Sequence, residues 1–367
     1  MRVGRQQFWS VGILSVIAVA LAGPALAQSN AARSDAVYTV GNYPVDSQAK
    51  NAVAAKRKAL ADGQEAAFHS LLKRVVPVTD YARLKRLAAL RSSDFFEGVS
   101  VRSERNSSTR YIASLDFSFR AESVRAVLAQ EGIPFVEEQA HAVIVVPMVR
   151  NAQGAVETGA AARAWERTWR SLDLEHTLTP MDVQKLKPSI DPDTLKKLID
   201  GTGGERILAG EYGQPYVLVA IAEPDATTKR LNVSLTGIDA VGPINLKRSY
   251  KIFDDDTSYA MELAAVVGQG VIEGRWKAVK TGTSDDVFGE QVALEARYVS
   301  FAQWRDMRER LLELQGVNDV RVETESAQGA GLKLRFPGGG PALATALRSR
   351  GLLLEAVGPG WVLRSAN

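Results

Sequence analysis

A chain of 367 residues with 45 lysines and arginines, 42 acids, three histidines and no cysteine is too long for one ordinary domain and fits two or three. The missing cysteine excludes disulfides, thiolate nucleophiles, iron–sulfur clusters and cysteine-type zinc sites, and a histidine-rich metal centre would need nearly all three histidines. The formal charge is +3, but without Arg2 and Arg5 it is 43 basic groups against 42 acidic, so the basic isoelectric point is no sign of nucleic-acid binding.

Those two arginines open a leader. Val11–Ala22 is an apolar run of 12 residues, Gly23-Pro24 breaks it, and Ala25-Leu26-Ala27 precedes Gln28. Charged, apolar and small-residue regions in that order predict a signal peptide over residues 1–27, cut between Ala27 and Gln28. A membrane span needs ~20 apolar residues, and no later stretch approaches that length without charges. The mature product is expected to be a soluble, periplasmic protein.

The first module, residues 28–138, reads as strand, helix, helix, hairpin, helix. Val37–Val40 is a β run, and residues 48–74 form a long helix stopped by Pro77. Tyr81–Leu90 predicts a second helix. Asn106-Ser107-Ser108 turns a hairpin whose second strand alternates Tyr111, Ala113, Leu115, Phe117 and Phe119 with smaller or polar residues, so one face is buried. A helix over 121–130 closes the module.

The second module, residues 139–282, opens with the apolar run Ala142–Val149, a strand covered on both faces. Pro147 lacks an N–H and predicts a sheet edge or bulge there. A helix bearing Trp165 and Trp169 follows, then a helix over 191–200. Strands are predicted at 206–212, 216–222, 230–239 and 244–253, and a long helix at 257–280. The polar run 281–289 reads as a linker. The third module, residues 290–367, shows the order βαββαβ, a ferredoxin-like arrangement. The class is therefore α/β in the α+β sense, built from several small sheet-and-helix modules.

The catalytic inventory is thin. His69 lies mid-helix, His141 starts a strand, and His176 is flanked by Asp173 and Glu175, the best metal candidate but without a second histidine at i+4. Asp254-Asp255-Asp256 offers oxygen ligands for a divalent cation, but it directly precedes a helix, where acids cap free N–H groups, and the capping reading is preferred. The clusters at 201–204 and 268–270 fit no phosphate-loop spacing, Gly338-Gly339-Gly340-Pro341 before a helix reads equally as an anion site or a turn, and no cofactor is expected. Trp165 and Trp169, one turn apart beside Arg163 and Arg170, are the first choice for a partner-binding surface.

The runs AAFHSLLKRVV at 66–76 and VIVVPMV at 143–149, the two-tryptophan helix with Leu178-Thr179-Pro180-Met181-Asp182, and the segments 208–212 and 216–220 together resemble a family of exported proteobacterial proteins known as a domain of unknown function. The resemblance covers about 36–280 and implies export, with no activity or site to carry over. The module order is more loosely similar to the amino-terminal domains of TolB and to flagellar assembly protein T. The resulting expectation is a non-enzymatic accessory or scaffold factor that binds envelope or periplasmic proteins. Its rivals are a periplasmic carboxylate- or metal-dependent enzyme and a small-molecule or glycan binder using the tryptophan helix.

Overall fold

A computed structural model describes residues 35–366 except 201–202, 255, 284–288, 313, 315 and 359, so the predicted leader with Ala25, Ala27 and Gln28 lies outside the described residues, as does most of the predicted linker. Helices and three antiparallel or mixed sheets make the fold α+β.

In the first sheet β1 (Thr39–Gln48), β2 (Phe96–Asn106) and β3 (Arg110–Phe119) are antiparallel in the order β1-β3-β2. The alternation in β3 turns Tyr111, Ala113, Leu115, Phe117 and Phe119 inward, against α1 (Ala52–Val75). That helix starts where Asn51 Oδ1 accepts the Ala54 N–H at 2.8 Å. Gly63 marks its closest approach to the sheet, since a Cβ there would sit 2.6 Å from Val45 Cγ1. The helix α2 (Ala121–Gln130) adds Val124 and Leu128 to the core. Two elements differ from expectation. Val78–Leu87 winds as 3-10 turns, because the segment folds back over the end of α1, where Tyr81 donates to the Lys73 carbonyl at 2.8 Å. Val37 and Tyr38 lie in a 3-10 turn before β1.

The central sheet has β4 (Val143–Arg150), β5 (Val156–Glu157), β6 (Met181–Val183), β7 (Val217–Asp225), β8 (Arg230–Ile238) and β9 (Pro243–Lys251), ordered β5-β4-β7-β8-β9 with β6 also on β4. β4 is parallel to β6 and β7, and β7 to β9 form an antiparallel meander. Pro147 is inside the sheet, and alternation explains how. Val143 N–H bonds to β6's side and Ile144 N–H to β7's, so residue 147 faces β6 and β5. β6 pairs only with 143–145 and β5 only with 149–150, leaving a gap opposite Pro147 where no N–H is needed.

On one face of this sheet lie α3 (Ala160–Arg170) and α6 (Ser258–Thr281), on the other α4 (Pro192–Asp200) and α5 (Glu205–Tyr212). Helix α5 replaces the strand expected at 206–212. A short apolar run satisfies either period. Here Gly204 (φ 105°) and Gly213 (φ 69°) bracket one helical unit whose Leu208 and Tyr212 meet the sheet one turn apart.

The first two modules are locked together by polar groups. Arg74 of α1 donates to Asp173 Oδ2 at 2.7 Å and to the Val37 and His176 carbonyls, and Leu178 enters the first module's core. Lys277 of α6, 4% exposed, donates to the Lys73 and Val76 carbonyls at 2.8 and 2.9 Å, capping α1 from another module. Burial pushes its ammonium down to about 8, with Glu273 opposing the shift and Arg74 adding to it. An unfolded lysine titrates near 10.5, so between pH 8 and 10.5 the unfolded chain holds more protons and stability rises with pH. In urea unfolding from about pH 7.5 to about 9.5, the wild type is expected to gain about 2 kcal/mol on Lys277→Met. A constant difference between the two proteins would refute this.

The third sheet contains β10 (Glu290–Arg297), β11 (Asn318–Glu325), β12 (Gly329–Phe336), β13 (Leu352–Val357) and β14 (Gly360–Ser365), with α7 (Phe301–Leu312) and α8 (Gly339–Arg348). The order βαββαβ is present and one further strand follows it. The expected last strand folds at Gly358 (φ 58°) into a hairpin, and β14 inserts parallel to β10, giving β11-β12-β10-β14-β13.

Candidate functional site

The tryptophan helix is not a surface. Trp165 is 0% and Trp169 1% exposed, so the partner-binding role expected of them is overturned. Trp165 Nε1 donates to the Ala220 carbonyl at 2.8 Å, the two indoles meet edge to face at 5.7 Å, and the absent side chain of Gly268 on α6 leaves room for Trp169. Arg163 stays exposed, while Arg170 bonds Glu166 and the Val183 carbonyl, tying α3 to β6.

Of the residues considered for carboxylate or metal chemistry, Asp173, His176 and Asp256 are engaged in structural bonds. Burial alone would raise the Asp173 carboxyl, but the His176 ring nitrogen at 2.9 Å, the Arg74 charge and the Gly41 N–H at 2.8 Å hold it well below the usual range. Glu175 accepts only through its backbone carbonyl, from Gln139. Asp256 Oδ1 accepts the Ser258 N–H at 2.8 Å, which is the capping role, and Asp255 is outside the described residues. His69 rests on Glu65 at the surface, and His141 stacks on Tyr216. Among the described residues no three histidines or acids gather into a metal-binding group.

A different place collects charge. In β8 and β9 the apolar residues Leu231, Val233, Leu235, Ile244 and Leu246 face α3 and α6. Register then sets Asn232, Ser234 and Thr236 opposite Ser249, Lys247 and Asn245 on the other face. The apolar strands β4 and β7 are covered there by α4 and α5, but this polar half is roofed by α7 of the third module. Trp304, Met307 and Leu311 of α7 enter its own core, while Arg305, Arg308, Glu309 and Leu312, spaced i, i+3, i+4 and i+7, look toward the sheet. Between them is a cleft of about 760 Å³.

Six cations line it, Lys196, Lys247, Arg248, Arg305, Arg308 and Arg350, against three carboxylates, Asp200, Glu223 and Glu309. Glu223 is already held by Arg150 at 3.1 Å. Lys196, Lys247, Arg248, Arg305 and Arg308 take no ion pair or hydrogen bond among the described residues, and Arg308 Nη2 is buried without an acceptor. A buried donor left unmade costs on the order of 1–3 kcal/mol. Lys247 reaches the solvent of the cleft, but the surrounding walls displace bulk water and press its ammonium below the ordinary lysine value, with the Asp200 carboxylate opposing the shift and the Arg308 charge adding to it. Burial lowers the Arg308 guanidinium in the same sense. No lining residue is aromatic, so nothing there can stack on a base or sugar ring. The seam continues into a smaller hollow of about 280 Å³ beside β11, where both polar atoms of the Asn245 side chain lack partners.

None of these residues stood out in the search for chemistry. The available signal was the alternation Ile244-Asn245-Leu246-Lys247, which gives β9 a charged outer face, together with the second, arginine-bearing face of α7.

No family model matches the chain, and no curated protein matches it. Among solved structures it is similar to a formyltetrahydrofolate deformylase from Pseudomonas putida KT2440, with 12% identity over 57% of this chain and 91% of that one. The TM-score of 0.16 is too low for that likeness to carry any argument about this protein.

Proposed function

We propose that the protein is a non-enzymatic binding factor, exported by its leader into the periplasm, that takes an anionic partner or ligand into the cleft between the central sheet and the third module. The observation behind this reading is the set of five unpaired cations in one cleft, in a protein where arginines elsewhere are widely bonded to carboxylates. Six cations against three carboxylates leave the cleft with an excess of positive charge, and an incoming anion offsets it. Asp173 and His176 are taken up in structural bonds and Asp256 caps a helix, while glycan stacking on the tryptophans requires indoles that are buried.

The test is retention on phosphocellulose over a salt gradient. The Lys247→Glu/Arg308→Glu double variant should elute well before the wild type. A control with the same change of charge elsewhere, Arg57→Glu/Lys58→Glu on the exposed face of α1, should elute later than the cleft variant. Equal shifts in the two variants would mean that only net charge is being read, and the cleft would lose its role.

A further inference from the structure

Within that reading of the cleft as an anion site, on which this inference rests, we infer that the ligand is a compact phosphoryl anion of the pyrophosphate class, seated on Ser234 and Lys247 beneath Arg308. Ser234 is 7% exposed and lines the cleft, and its hydroxyl takes no hydrogen bond among the described residues. Its oxygen is open to the cleft, where an incoming anion can meet it. Register sets Ser234 directly across from Lys247, so both side chains rise from the same face of the sheet and line the cleft. From the opposite wall Arg308 brings a guanidinium whose Nη2 is buried and unpartnered. Three elements thus contribute a hydroxyl, an ammonium and a planar fork to one cleft, and none of the three has a protein acceptor among the described residues.

Such a donor set fits a group that offers oxygens in several directions at high charge density. A phosphoryl group does so, and guanidinium meets it in two parallel bonds. The lining has three more cations than carboxylates, which matches a pyrophosphate carrying two or three negative charges. An extended acidic peptide fits less well, because its spread of single charges would pass Asp200, Glu223 and Glu309 in the same walls. A nucleotide would leave its base without a stacking partner.

The experiment is titration calorimetry of the purified chain with pyrophosphate, tripolyphosphate, inorganic phosphate and hexaglutamate at constant ionic strength. Pyrophosphate or tripolyphosphate is expected to bind once per chain, about tenfold or more tighter than hexaglutamate. Arg308→Ala should weaken that binding by about tenfold or more, and Ser234→Ala by roughly three- to tenfold. Unchanged thermal unfolding of both variants would show that they fold. If hexaglutamate binds as tightly as the phosphoryl anions, the ligand class is wrong and the anion-binding cleft stands. If none of the four anions binds, both readings fail. Tight pyrophosphate binding that survives in the Ser234→Ala/Arg308→Ala double variant would place the anion elsewhere and overturn the assignment.

Discussion

Arg275→Met is expected to cost about 3–5 kcal/mol of folding stability, because it strands a buried carboxylate. Asp239 at the end of β8 is 1% exposed and Arg275 of α6 is 3% exposed. Arg275 Nε donates to Asp239 Oδ2 at 2.8 Å, and its Nη2 reaches the Pro243 carbonyl at 3.0 Å. Asp239 Oδ1 meanwhile accepts the Val241 and Gly242 N–H groups at 2.8 and 2.9 Å, so one carboxylate organises the whole β8–β9 turn. Without the guanidinium, those two N–H groups must hold a buried charge alone. The double variant Asp239→Asn/Arg275→Met should recover much of the loss, since replacing a charge by its neutral isostere removes the larger penalty. Urea unfolding of the three proteins checks this. A loss below about 1 kcal/mol in the single variant would mean that the turn does not depend on the pair.

Trp165→Ala should be comparably severe, at about 3–5 kcal/mol, since it empties the largest side chain from the centre of the sheet's covered face. The two tryptophans separate under a milder substitution. Trp165 Nε1 has the Ala220 carbonyl, whereas Trp169 Nε1 is buried without a partner. Trp165→Phe should therefore cost more than Trp169→Phe by about 1 kcal/mol, the net worth of one hydrogen bond. Thermal unfolding gives the ranking, and equal costs would sink the argument. Anion retention by folded Trp165→Phe should match the wild type, because the indole lies on the sheet face opposite the cleft.

Period and punctuation made much of this architecture legible. The two-residue alternation of β3, the unbroken apolar run of β4 and the helical spacing of α1 and α6 each have one physical reading, and the chain adopts it. Residues 206–212 failed because seven residues are too few to separate the two periods, and the glycines that fix the choice act through φ angles that composition does not reveal. The terminal hairpin failed for a similar reason, since Gly358-Pro359-Gly360 reads equally as an interruption or a reversal. The cleft was hidden by distance in sequence. Its cations run from Lys196 to Arg350, and each one alone looks like an ordinary charge on a solvated face. A search for reactive carboxylates and histidines passes over a site made of donors that merely hold.

The position of β14 has a consequence for how the third module is made. This strand, residues 360–365, lies between β10 and β13 in the interior of its sheet rather than at a border. Until β14 is in place, β10 keeps one row of backbone groups open, and α8 lacks the Trp361 ring that packs on Gly340. The sheet that supplies the roof of the cleft therefore closes only once residues 360–365 are in place. During that interval the unfinished sheet exposes an edge that a neighbouring nascent chain could pair with, which gives the cell a reason to keep it apart from its copies.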